Sequence, residues 1–192
     1  MNNIPAGFMI ILSAFTMNLV LQCALGINAS CANPGRRLAL SKLGIIFITV
    51  ILLWGIFSGI ISSISSGIFI YVILFPVSFM VYDGLEFIAF KYLFKSDPKE
   101  ECSLNFPGGI TAAALFICIN IASNFLAAVA LSFGFTSGIM LVLLILGEIR
   151  RRAALESVPR FLRGKPLVLI SMGMLSLVFS VSSILLFRMI GS

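Results

Sequence analysis

The chain has 192 residues, of which 60% are hydrophobic and 10% are charged, and its formal net charge is +6. A soluble domain carries about 25% charged residues, so this composition excludes a soluble globular protein and indicates an integral membrane protein. The basic residues stand beside long apolar runs, which indicates membrane topology rather than nucleic-acid binding.

Six apolar runs predict an all-α protein with six transmembrane helices in a single membrane domain, residues 1–192. The runs lie near residues 5–27, 43–61, 67–90, 108–123, 126–146 and 167–187. The first run has no Lys or Arg before it, so we expect a retained span rather than a cleaved signal peptide.

Basic residues concentrate in the connections after the first, third and fifth runs, whereas the connections after the second and fourth runs are uncharged. These basic residues are Arg36, Arg37, Lys42, Lys91, Lys95, Lys99, Arg150, Arg151, Arg152, Arg160, Arg163 and Lys165. Lys and Arg are held on the cytoplasmic side of a membrane. We therefore predict cytoplasmic basic loops and both termini outside, on the periplasmic face.

Six spans divide into two oppositely oriented halves, approximately residues 1–90 and 106–192. The first span is interrupted by polar residues that include Asn18 and Gln22, and the fourth span is short and opens at a Pro-Gly-Gly sequence, residues 107–109. Broken or short segments at matching positions of inverted halves predict discontinuous first and fourth helices that line a central site. The alternative interpretation is that these polar residues join tightly packed helices.

Two carboxylates within the third span are candidates for a cation or proton path. Asp83 and Glu86 lie three residues apart and share one face of a helix. The alternative is that both lie at the membrane interface and pair with Lys91 or Lys95. Glu148, before the arginine triplet, is expected to be an ion-pair partner. No nucleophile triad, phosphate loop or zinc site is recognisable, so we expect the chain to be non-catalytic alone.

Residues 149–179 read IRRRAALESVPRFLRGKPLVLISMGMLSLVF and resemble the small six-span subunits of the Rnf and Na⁺-translocating NADH:quinone reductase complexes, the RnfA/NqrE branch above all. The family pattern here is IRER, then VP, then RG and an apolar span. The matching residues are Ile149, Arg150, Arg152, Val158, Pro159, Arg163, Gly164, Gly173, Leu175, Leu177 and Phe179. Looser matches upstream are Asn18, Leu19, Val20, Leu21, Leu25, Gly26, Glu86, Phe106, Ile110, Thr111, Asn124 and Phe125.

The resemblance implies an inverted-repeat membrane subunit of a bacterial inner-membrane electron transport complex. Such a complex acts as a ferredoxin:NAD or NADH:quinone oxidoreductase and couples electron transfer to Na⁺ or H⁺ movement. The family subunit pairs with an oppositely oriented RnfE/NqrD-like sister and with other complex subunits. The pair shares a [2Fe-2S] cluster, for which each subunit gives one cysteine from its first span and one from its fourth.

The sequence departs from the family at both cysteine positions, which are Asn28 and Ala114 here. Cys31 and Cys118 each follow about one helical turn later, or about 5.4 Å along the axis. Metal–ligand distances tolerate only tenths of an ångström, so we expect the cluster to be absent, with relocation to these two cysteines as the alternative. Two other functions stay open, a stand-alone small transporter and a degenerate, non-redox scaffold paralogue.

Overall fold

Helices account for nearly all of the backbone in the computed structural model, which describes residues 6–22, 36–63, 67–89, 91, 108–155 and 165–191. The helices are α1 (Ala6–Ile11), α2 (Leu19–Gln22), α3 (Arg36–Ser63), α4 (Gly67–Ile88), α5 (Gly108–Ile121), α6 (Phe125–Leu155) and α7 (Lys165–Gly191). No strand occurs in these ranges. The all-α class predicted from the apolar runs is confirmed, as a helix satisfies its own backbone polar groups in apolar surroundings.

Three of the described helices are long and apolar enough to cross a membrane, over Ala39–Ile60, Phe125–Ala153 and Pro166–Leu185. They correspond to the second, fifth and sixth predicted spans. Two shorter apolar helical stretches, Gly7–Leu21 and Gly108–Ile121, correspond to the first and fourth.

Two helices extend beyond the apolar runs that predicted them. Helix α3 begins at Arg36 rather than near residue 43, and α6 continues to Leu155 rather than ending near residue 146. Hydropathy marks the apolar part of a helix, whereas Arg and Lys are good helix formers that prolong it. The placement of Lys42 in a loop was therefore wrong, since it lies within α3.

Helix α6 is the centre of the described fold. It contacts α1, α2, α3, α5 and α7, while α5 packs between α3 and α4. Its buried side chains recur every three or four positions, which places them along one helical face. They are Leu131, Phe135, Ile139, Val142 and Leu146.

The first helical segment does not continue as one α-helix. Helix α1 leads into a π-helical turn, Leu12–Thr16, closed by a 3.2 Å hydrogen bond from the Met17 amide to the Leu12 carbonyl. Met17 then leaves helical geometry (φ −111°, ψ 37°). The Asn18 side chain accepts hydrogen bonds from the amides of Val20 and Leu21 and so begins α2 as a helix cap.

Two glycines in the sequence GFTSG let α6 approach this first segment closely. A Cβ at Gly134 would lie 2.7 Å from the Ile10 carbonyl oxygen, and one at Gly138 would lie 2.7 Å from the Ala14 carbonyl oxygen. Spacing of four residues places both glycines on one face, as in close-packed membrane helix pairs. The backbone of α6 therefore packs directly on α1 and its π-helical turn.

Large apolar side chains are exposed on the outer faces of α4 and α7. On α4 they include Val72, Ile73, Phe75 and Met80, and on α7 they include Met174, Leu177, Val181 and Ile184. Such faces suit lipid or a partner protein rather than water.

Candidate functional site

A buried ion pair joins α3 to α4. Lys42 Nζ lies 3.0 Å from Glu86 Oε1, and the side chains are 1% and 25% exposed respectively. The lysine lies among buried apolar neighbours on its own helix, which include Leu43, Ile45 and Ile46. The two helices therefore bring together a cation and a carboxylate from different predicted spans.

Burial makes this pair energetically costly. Removing two charges from water costs several kcal/mol per ion even after relaxation, and the attraction between them offsets this only when the geometry is good. Ionisable side chains in apolar helices are rare and mark sites of function more often than sites of stability. The Lys42–Glu86 pair is for this reason the strongest candidate functional site within the described residues.

Tyr82 adds a third polar group to the pair. It precedes Glu86 by one helical turn on α4, is only 1% exposed, and interacts with the Glu86 carboxylate through its hydroxyl. The contact does not reach hydrogen-bond geometry, and the Tyr82 hydroxyl has no hydrogen-bond partner within the described parts of the chain. We call Lys42, Glu86 and Tyr82 the charged cluster.

The charged cluster places a partly exposed carboxylate against an almost fully buried ammonium group. Lys42 Nζ lies 3.0 Å from Oε1 of Glu86, and the carboxylate is the more exposed member of the pair. Because Glu86 is the more exposed member, an incoming cation reaches the carboxylate before it reaches the ammonium group. Two positive charges on one carboxylate repel each other strongly away from water, so each weakens the binding of the other.

Asp83 is not part of the ion pair. Its side chain is exposed on α4, although its negative charge acts on the buried Tyr82 hydroxyl. The two carboxylates predicted to act together therefore occupy different surroundings, one facing outward and one facing α3.

The partner of Glu86 differs from the sequence expectation. Lys91 Nζ lies 5.6 Å from the centre of the Phe87 ring, a cation–π contact, and Lys95 lies outside the described residues. The ion pair of Glu86 is instead with Lys42, which we had assigned to a loop. The apolar residues on both sides of Lys42, LAL before it and LGIIF after it, are the signal that could have placed it within a span.

Glu148 is confirmed as an ion-pair partner. Its Oε1 lies 3.0 Å from Arg152 Nε, one helical turn further along α6. Both side chains are more than half exposed, so the pair contributes about 0.3–0.5 kcal/mol or less. It has none of the burial that distinguishes the charged cluster.

Cys118 lies in the core between α5 and α6. Its side chain is fully buried, and its Sγ lies 3.6 Å from Ser132 Oγ. Ala114, the family ligand position one turn earlier, is likewise buried. Cys31 and Asn28 lie outside the described residues, and whether the protein holds a cluster stays a prediction.

The described ranges contain no group of three or more His, Cys, Asp or Glu side chains placed to hold one metal ion. What they define is an all-helical protein that has three helices able to span a membrane and a buried ion pair between two helices. No family model matches the chain, and no curated protein matches it significantly.

Proposed function

We propose that the protein is a six-span membrane subunit of an RnfA/NqrE-like complex in a bacterial inner membrane, where electron transfer drives Na⁺ or H⁺ across the membrane. The charged cluster serves the cation step. The observation that carries this proposal is the 3.0 Å contact between the buried Lys42 ammonium group and the Glu86 carboxylate.

In this mechanism Lys42 acts as a built-in counter-ion. Without a bound cation, the ammonium group neutralises Glu86. When a proton or Na⁺ reaches the exposed side of the carboxylate, it competes with Lys42, because one carboxylate offsets a single charge. The Tyr82 hydroxyl, one helical turn before Glu86, can donate a hydrogen bond to the carboxylate while the cation is bound. The cluster thereby returns to its starting state when the cation leaves.

The pattern of helix contacts supports a 3+3 inverted repeat. The first segment packs against α6 and α7, and α5, the fourth predicted span, packs against α3 and α4. Helices α3 and α6, the second spans of the two halves, contact each other. Exchanging the helices of one half for those of the other leaves these particular contacts unchanged.

Two features support discontinuous first and fourth helices. The first segment leaves helical geometry at Met17, and Asn18 begins a new helix. Helix α5 has 14 residues, or about 21 Å at the α-helical rise, against about 30 Å for the hydrocarbon core. Within the hydrocarbon core of a membrane, a discontinuous or short helix needs surrounding protein, because lipid cannot satisfy its free backbone groups.

Exposure of Asp83 supports a partner subunit. Its carboxylate lies on a helix whose exposed neighbours are apolar, including Phe87 and Met80. A charge facing lipid is costly, whereas one facing a partner protein or a water-filled path is not. An oppositely oriented sister subunit on α4 would cover this carboxylate.

The test uses inverted membrane vesicles that contain the assembled complex, energised with NADH or reduced ferredoxin. The double variant Lys42→Met, Glu86→Leu, which leaves no buried charge without its counter-ion, should lower ²²Na⁺ uptake or the proton gradient about tenfold while the chain still co-purifies with its partners. Glu148→Gln, which removes an exposed carboxylate, is the matched control and should leave both readouts unchanged. Equal loss of transport and assembly in the double variant would instead assign the pair a structural role, as in a scaffold paralogue.

A stand-alone small cation transporter is the second candidate. It is supported by the charged cluster, because Lys42 and Glu86 lie within one chain and need no redox cofactor to form their pair. Reconstitution of the chain alone into liposomes separates the two functions. Cation flux without any electron donor or partner supports the transporter, and flux that needs the other subunits and an electron donor supports the complex.

A further inference from the structure

Helix α4 carries a stripe of exposed residues that no other described helix covers. They recur at alternating spacings of three and four positions, which places them along one side of the helix. They are Ile73, Pro76, Met80, Asp83 and Phe87. Ile73, Met80 and Phe87 are each more than half exposed. We call these five residues the α4 seam.

The spacing of the α4 seam is that of two helices packed side by side, where the residues of one seam insert between those of the other. The opposite side of α4 is already occupied. Its residues Leu74, Ser78 and Tyr82 are buried, and the helix packs on α3 and α5. The seam is therefore the side of α4 that is open to a further helix.

Asp83 places a charge on this seam at the depth of the apolar part of α3. Residues 64–66 alone separate α3 from α4, so the two packed helices run antiparallel. Lys42 lies three residues inside the membrane-capable stretch Ala39–Ile60 and contacts Glu86. Asp83 precedes Glu86 by three residues, which places it about 4.5 Å further from that end of the bundle.

Asp83 has no ion pair in the described parts of the chain, where both salt bridges are made by other carboxylates. Lys91 lies eight positions further along the helix, about 12 Å away along the axis, and its ammonium group stands over the Phe87 ring. An unpaired charge in apolar surroundings is costly. The counter-ion of Asp83 must therefore come from outside these residues.

A second copy of this chain does not fit the α4 seam. Copies of one membrane protein share one orientation in the bilayer, because the charges of its loops fix that orientation. Two copies packed through α4 about a two-fold axis would bring Asp83 against Asp83 at the same depth. Like charges repel, and a polar residue within a seam selects the partner that satisfies it. The seam thus disfavours self-association and suits a helix with a positive charge.

We propose that the α4 seam is the docking surface for a transmembrane helix of a different protein, and that this helix carries a Lys or Arg that pairs with Asp83. This proposal rests on the proposed function, in which the chain is one subunit of a membrane complex, and it adds the chemistry by which the partner is recognised. The apolar residues of the seam provide the contact area. The carboxylate fixes the depth and register of the partner helix.

The experiment places the photo-crosslinking residue p-benzoylphenylalanine at Met80 or Phe87 of the full chain, in intact membranes of cells that make the whole complex. Val181 and Ile184 of α7, which are similarly exposed on another helix, are the matched control positions. The two seam positions should crosslink to a different protein, through an apolar helix that contains Lys or Arg, as mass spectrometry of the adduct would show. The α7 positions should give no adduct with that helix.

Adducts of the seam positions with lipid alone, with a second copy of the chain, with another segment of the same chain or with a helix that lacks a basic residue would overturn the proposal. Asp83→Arg should abolish co-purification of the crosslinked partner, and replacing the partner's basic residue with Asp in the same cells should restore it. Asp83→Asn, the second variant if arginine prevents folding, should lower retention of the partner about tenfold. Glu148→Gln removes an exposed carboxylate elsewhere and should retain the partner fully.

The identity of the crosslinked partner separates this proposal from the proposed function. A partner that carries the predicted basic residue but belongs to no electron transport complex would contradict the proposed function and support the docking surface. An electron transport complex that assembles fully around both Asp83→Arg and Asp83→Asn would overturn the docking surface and leave the proposed function intact.

Discussion

Lys42 and Glu86 form an asymmetric pair, in which the ammonium group is almost fully buried at 1% exposed and the carboxylate is 25% exposed. The lysine is fixed within the bundle, and the glutamate is the member that a solute can reach. A cation that binds at Glu86 therefore meets a positive charge that cannot move freely into water. Because of this asymmetry, replacing the lysine and replacing the glutamate should change the free energy of unfolding by different amounts.

Lys42→Met should destabilise the protein by about 3–5 kcal/mol, because it leaves Glu86 partly buried without its counter-ion. The double variant Lys42→Met, Glu86→Leu should recover most of this loss, since an apolar pair removes the desolvation cost of both charges. Equilibrium unfolding in mixed micelles measures both variants. A double variant that is less stable than Lys42→Met would contradict the assignment of the contact as an ion pair.

Tyr82→Phe should leave the free energy of unfolding nearly unchanged or raise it by up to about 1 kcal/mol, because the hydroxyl it removes has no formed hydrogen bond in the described structure. The same variant should slow energised cation uptake several-fold if the hydroxyl supports Glu86 during exchange. Vesicle transport and thermal unfolding are measured side by side. Unchanged transport would remove Tyr82 from the proposed mechanism.

Gly134→Ala should destabilise the protein by about 1–3 kcal/mol, because the new methyl group would meet the Ile10 carbonyl oxygen at 2.7 Å and the Ser13 side chain. Gly147→Ala on the same helix is the control, since nothing lies within 4 Å of a Cβ there. It should be neutral or stabilising by up to about 1 kcal/mol, as alanine favours helix over glycine. Equal effects of the two substitutions on unfolding would contradict the close packing of α6 on α1.

Cys118 should resist alkylation by a maleimide in the folded protein, because its side chain is fully buried. A variant that keeps Cys118 as its single cysteine should react only after denaturation, as mass spectrometry of the labelled protein would show. Cys118→Ser in the assembled complex should leave the iron content and any iron–sulfur EPR signal unchanged. Loss of such a signal would instead restore Cys118 as a cluster ligand.

The sequence was sufficient for the helical class and for the position of the long apolar helices, because hydropathy alone sets both. It also predicted that Glu148 forms an ion pair, since an acidic residue beside an arginine triplet on a helix has a partner within one turn. These are local properties. They depend on residues that lie close together along the chain.

The charged cluster could be predicted only in part, because it joins residues that lie far apart along the chain. Glu86 and Asp83 stood out as charges in an apolar run, but the partner came from another helix, which residue spacing along one helix does not reveal. Lys42 is separated from the arginines of its own connection by the apolar stretch Leu38, Ala39 and Leu40. Counting Lys42 with those arginines as a sign of membrane topology placed it outside the spans, although its side chain is buried. The polar residues Asn18 and Gln22 predicted an interruption of the first span, but no sequence pattern indicated the π-helical turn Leu12–Thr16.

The close contact between α6 and the first segment has a consequence for biosynthesis. The segment that contains Met17 and Asn18 leaves the ribosome long before Gly134 and Gly138 are made. Until α6 arrives, the open backbone of the first segment has no protein surface to cover it, and lipid offers no hydrogen bonds. We therefore expect the N-terminal segment to insert late, or to stay in the insertion machinery until the fifth predicted span is complete.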